Sequence, residues 1–128
     1  MNTQQSIIEN NKLIAEFMGL QITADQKAYF IELGDSKYFN TNKGITQNAM
    51  LINRLRYNSS WDWLMTIVEN IESLNHWVEI YGVGCYVKPK TTEGYLKAFN
   101  ASTKIECVYN ACIDFIKWFN TQLNSKNA

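Results

Sequence analysis

His76 is the single histidine of the chain, and any general base of ordinary pKa would have to be built on it. Its nucleophile would come from a serine or from one of three cysteines, Cys85, Cys107 and Cys112. None of these stands in the sharp glycine-flanked turn that presents a nucleophile, so such a pair has no local signature. His76 reads instead as a residue opening a strand. There is no C-x-x-C pair and no H-x-x-x-H, and the carboxylates are scattered, so no metal set is expected. Cys107 and Cys112 lie five apart and turn to different faces of a helix. An odd cysteine count with no secretion signal at Met1-Asn2-Thr3-Gln4-Gln5 reads as reduced, buried thiols in a cytoplasmic protein. Gly82-Val83-Gly84 lacks the further glycine and the helix of a dinucleotide loop and reads as a hairpin turn. Asn58-Ser59-Ser60 and Asn100-Ala101-Ser102 match the glycosylation sequon, yet both precede helices, where such residues act as caps. No catalytic residue, cofactor or metal is assigned.

Recognition is better supplied. Twelve basic and twelve acidic side chains cancel over the whole chain, which argues against a generic nucleic-acid coat or a polybasic membrane tether. Charge is nevertheless segregated: net −3 over 1–36, +4 over 37–56, −4 over 57–87 and +3 over 88–104. An acidic patch on Asp62, Glu69 and Glu79 suits a basic channel on a partner protein, because complementary charge sets association rate and selectivity. Trp77, Tyr81 and Tyr86 share one face of a hairpin and need either a covering helix or a partner; tryptophan and tyrosine are common interface anchors. Asp62, Glu69, Trp77, Glu79, Tyr81 and Tyr86 are therefore the candidate partner-binding residues. A rival reading uses the basic segments 37–56 and 88–104 to bind RNA or DNA directly, through Arg54, Arg56, Tyr57, Lys88 and Lys90. A third is an enzyme with a small-ligand pocket under the same hairpin.

These residues need elements to hold them. A helix is predicted from Thr3 to Met18, ending at Gly19, with Ile7, Asn10, Leu13, Ile14, Phe17 and Met18 inward. Residues 27–39 read as a hairpin folding at Gly34-Asp35. Asn40–Asn48 is polar and reads as a loop, and 49–57 fits a short helix or a strand. A second helix starts after Ser59-Ser60 with Asp62 in its first turn. Trp61, Leu64, Met65, Val68 and Ile71 form its stripe, widened by Trp63, Ile67 and Leu74, and Asp62, Thr66, Glu69, Asn70 and Ser73 its polar strip. The second hairpin joins His76–Tyr81 to Cys85–Lys88 and stops at Pro89. Alternation puts Val78, Ile80, Cys85 and Val87 on one face and Trp77, Glu79, Tyr81, Tyr86 and Lys88 on the other. A turn-rich bridge leads to Thr103-Lys-Ile-Glu106, a capping box. The last helix buries Ile105, Val108, Tyr109, Cys112, Phe115, Ile116, Phe119 and Leu123 and frays from Asn124.

With 128 residues, 46% of them hydrophobic, the chain has enough apolar mass for one ordinary core. No apolar run reaches the roughly 18 residues of a membrane span. The expectation is a single domain over 1–128 of the α+β class, a small antiparallel sheet of two hairpins with three helices packed on it.

Three stretches carry a likeness beyond this. They are Asn10–Gly19, then Tyr57-Asn-Ser-Ser-Trp-Asp-Trp-Leu-Met65 with Val68–Leu74, and Lys104–Asn120. Together they resemble a group of small proteins encoded by bacteriophages and prophages, over the three helices. In that group the position after Met65 is often proline, whereas here it is Thr66, which lets the helix continue. The resemblance implies a non-enzymatic phage accessory protein acting on a host protein in the bacterial cytoplasm. It points to an anti-CRISPR inhibitor of an RNA-guided effector nuclease or its guide-RNA complex. Closing a homodimer is the simplest alternative role for the broad apolar helix.

Overall fold

The structure, a computed structural model, describes residues 3–32 and 47–127, with side chains over 3–29 and 49–124. Among the described residues there are three α-helices and two small antiparallel sheets, so the α+β expectation stands. The strands form two sheets rather than one, the first of two strands and the second of three. Contacts group the chain into two compact units, 1–63 and 64–128.

In the first unit, α1 spans Gln4–Phe17. The Thr3 hydroxyl accepts the Ser6 N–H at 3.1 Å and so satisfies one of the donors every helix start leaves open. At the other end Gly19, at φ +80°, lets the N–H groups of Gly19 and Leu20 reach back to the carbonyls of Glu16 and Ala15. The fully buried face is Asn11, Ile14 and Ala15. Of the predicted inward residues only Ile14 is fully buried. Asn11 turns in because its amide Nδ2 donates to the Leu55 carbonyl and to Asn58 Oδ1, both at 3.1 Å. Hydrophobic periodicity has no means of seeing such a bond.

β1 is Ala28–Glu32 and pairs antiparallel with β2, Gln47–Leu51. The turn and second arm of the predicted hairpin over 27–39 lie outside the described residues. Glu32 pairs with Gln47; Gly34-Asp35 and the rest of 33–46 are not described. The partner strand combines residues read as loop with residues read as ambiguous. Pairing here is decided at a distance, whereas a turn dipeptide is only local preference. One 3-10 turn, Ile52–Arg54, follows. Tyr57 is buried edge-on to Trp63, ring centroids 5.0 Å apart.

α2 runs Trp61–Ser73. Its buried residues are Trp63, Leu64, Thr66, Ile67, Val68 and Ile71, while Trp61 and Met65 are exposed. The predicted stripe is thus rotated by a fraction of a turn, and Thr66 leaves the polar strip.

In the second unit β3, His76–Tyr81, pairs with β4, Gly84–Pro89, from His76↔Pro89 to Tyr81↔Gly84. Only Gly82 and Val83 remain as the loop. Gly82 at φ +55° supplies the left-handed first position that a right-twisted two-residue hairpin favours. β5, Lys97–Asn100, adds to the free edge of β4; it replaces part of the predicted turn-rich bridge. α3, Lys104–Asn127, lies against β4 and β5. Its capping box forms as predicted on one side: the Glu106 N–H donates to Thr103 Oγ1 at 3.2 Å. The Glu106 carboxylate reaches the Ser102 N–H at 3.4 Å, one residue before the cap. Val108, Tyr109, Cys112, Phe115 and Ile116 are buried, joined by Cys107, Ala111 and Ile113. Leu123 is exposed, and the helix persists to Asn127 where fraying was expected.

Candidate functional site

Strand alternation and the place of α3 decide which side chains the second unit offers outward. Cys85 and Val87 are fully buried, and Cys107 on α3 brings its sulfur to 3.6 Å from that of Cys85. That side of the sheet is occupied. The outer side carries Trp77, Glu79 and Tyr81 of β3 beside Tyr86 and Lys88 of β4, with Ala98 and Asn100 of β5 in register. Trp77 is 47% and Tyr81 53% exposed, so no described helix covers this face.

The face is organised by charge as well as by rings. Lys88 Nζ lies 2.6 Å from a Glu79 carboxylate oxygen and 5.6 Å from the Tyr86 ring centroid. The hydrogen bond to Glu79 raises the Lys88 pKa, the direction expected of an ammonium facing a carboxylate. Lys90 Nζ stands 4.3 Å from the Trp77 ring centroid and donates to the Glu72 carbonyl at 3.0 Å. Tyr81 and Tyr86 meet edge-on at 6.3 Å. Four of the predicted partner-binding residues (Trp77, Glu79, Tyr81, Tyr86) and two from the rival nucleic-acid set (Lys88, Lys90) thus share a single surface. Glu79 is neutralised by Lys88 there, so this part of the acidic segment is not a bare negative patch. Glu69 is exposed on α2, and Asp62 is exposed in its first turn within the first unit.

The rest of the rival set lies in the first unit. Arg54 and Arg56 are exposed and, with Asn53, Asn58 and Ser59, line a cavity of about 200 Å³ beside α1. Tyr57 is fully buried and cannot stack on a base, a correction to its predicted role. Its ring is consumed by packing against Trp63.

His76 opens β3, as predicted, and is buried. Its Nε2 accepts the Tyr95 N–H at 3.1 Å and its Nδ1 lies 2.8 Å from the Leu74 carbonyl. This assigns the Nδ1–H tautomer, since one ring nitrogen must accept and the other donate. Phe115 and Trp118 close edge-on around the ring. Beside it the Tyr95 hydroxyl donates to Asp114 Oδ2, which Lys97 Nζ approaches at 3.3 Å. Burial and that carboxylate push the Tyr95 phenol well above its ordinary value. Periodicity could not have found this cluster, because Tyr95 sits in the irregular stretch before β5 and Asp114 on the edge of a helix stripe. The cavity beside α1 and a wider open depression next to it are both lined only by first-unit residues, so neither reaches His76.

The thiols are free. Burial pushes Cys85 up to about 12 and Cys112 higher still, which is the condition of an inert packing thiol rather than a nucleophile. Among the described residues no three His, Cys, Asp or Glu side chains stand close enough to hold a metal ion. No described helix is long and apolar enough to cross a membrane.

Comparison with protein-family models, with curated proteins and with solved structures finds no match to this chain.

Proposed function

We propose that this chain is a non-enzymatic phage or prophage accessory protein that works in the host cytoplasm by binding a host protein through the outer face of β3–β4–β5. The particular role proposed is inhibition of an RNA-guided effector nuclease. The observation carrying the binding reading is the row of exposed Trp77 and Tyr81 and half-buried Tyr86, with the Glu79–Lys88 ion pair at its centre. Exposed large rings lose water on association at low entropic cost, and an internally paired charge is carried into an interface more cheaply than a lone one. The phage and anti-CRISPR part of the proposal rests on the sequence resemblance alone.

The test is capture of the natural host's effector complexes on the immobilised protein, together with phage plaquing in the presence and absence of the gene. Retention of an effector complex and restored plaquing are expected, both lost in Trp77→Ala/Tyr81→Ala. Absence of any effect on every defence system of that host would sink the inhibitor reading. Equal capture by the double variant would move binding away from this face.

A further inference from the structure

The cavity beside α1 is a second, separate feature, built from residues that the sheet-face reading leaves unused. One side of it is formed by Gln4, Ile7, Ile8 and Asn11 of α1, the other by residues of the stretch 52–59. The Arg56 carbonyl accepts the N–H groups of Ser59 and Ser60 at 3.1 and 3.0 Å, folding 56–60 into a tight turn. The buried Asn11 side chain clips that stretch from the α1 side through Leu55 and Asn58. The result sets Arg54, Arg56, Asn53, Asn58 and Ser59 around one opening of about 200 Å³.

We infer that this cavity is a binding site for a phosphate ester. No carboxylate is among its lining residues, and neither guanidinium has an ion-pair partner among the described residues. Asn58 receives the Asn11 amide on its oxygen, which leaves its own NH₂ as a donor turned the other way. Two positive forks, carboxamide groups and a hydroxyl, with no acidic acceptor, complement a tetrahedral dianion. Glu9 and Asp62, the acids nearest in sequence, lie outside the lining. The ligand's shared chemistry is the phosphate group, borne either by a free phosphate monoester or by the backbone of a single-stranded nucleic acid. Tyr57, being buried, adds no stacking platform, so the site reads phosphate and not base.

Titration of the ¹⁵N-labelled protein at low salt distinguishes these cases, with inorganic phosphate, adenosine 5′-monophosphate and an eight-nucleotide uridine strand as probes. Saturable amide shifts confined to Asn53–Ser59 are expected, and Arg54→Gln/Arg56→Gln should weaken binding at least about 10-fold, as loss of charge-assisted bonds does. Both arginines are exposed, so the variant keeps its fold, checked by an unchanged thermal midpoint. Lys117→Gln, on α3, should leave the shifts unaltered. A strand binding more tightly than phosphate, with a salt slope that the double variant lowers, identifies the polymer backbone; equal affinities identify the free ester. No saturable shift, undiminished binding by the double variant, or acetate binding as tightly as phosphate would overturn the assignment.

Discussion

At the scale of single residues, the one histidine illustrates how a chemically suggestive side chain is spent on structure. Both His76 nitrogens are engaged by backbone groups, and two rings pack against its edge. His76→Ala strips a buried N–H of its acceptor and opens a cavity, so unfolding in urea should show a loss of about 2–4 kcal/mol. His76→Phe restores the packing but not the bonds and should recover only part of it. Buried acids behave in the same spirit. Burial raises Cys85 from 9.0 to about 12 and Tyr29 from 10.0 to about 12. In each the neutral form is favoured by the fold, so this stability is complete below the unfolded value and declines as pH rises toward the folded one. Urea midpoints should therefore fall between roughly pH 9 and 12, with a shallower fall in Cys85→Ala. A pH-independent midpoint over that window would contradict the burial of these groups.

The elements show which local signals are strong enough to survive folding. Thr103 and Glu106 form a cap because the donors of a helix start have no other partners, a requirement independent of what α3 packs on. Thr103→Ala should cost about 1 kcal/mol in urea unfolding without altering the helical circular dichroism of the native state. Gly19 and Gly82 succeed for a related reason, since few residues tolerate the left-handed backbone those turns require. A turn dipeptide is a weaker signal, because it favours a bend but does not choose a partner strand; β1 pairs with Gln47–Leu51, a stretch whose composition gave no clear strand signal. β5 was hidden by its composition, Lys97-Ala-Phe-Asn100 having little of the branched, alternating character of a strand. It forms because β4 offers an edge whose backbone groups need partners.

For the molecule as a whole, the chief result is what its second unit leaves uncovered. That face carries three aromatic side chains, one ion pair and two lysines lying over rings, and it is the surface through which binding is proposed. Trp77→Ala/Tyr81→Ala should abolish capture of the host partner while shifting unfolding by no more than about 0.5 kcal/mol each, because exposed side chains contribute little to the core. A large stability loss would mean that these rings are structural. Four of the six partner-binding candidates were legible together, since strand alternation alone puts Trp77, Glu79, Tyr81 and Tyr86 on one side. The rest of the electrostatic reading was less so. Charge runs along a chain do not reveal that Glu79 is matched by Lys88 across a strand, or that Arg54 and Arg56 face a cavity without an acid.

Order along the chain was enough to determine three helices, the β3–β4 hairpin, the Thr103 cap and the side of that hairpin each residue takes, because these depend on periods, turns and hydrogen-bond needs set within a few residues. Tertiary structure alone decided the pairing of β1 with β2, the recruitment of β5, the inward turn of Asn11 and Thr66 and the burial of Tyr57. Each of those depends on a partner far away in sequence, and a local pattern carries no information about which distant group will be there to meet it.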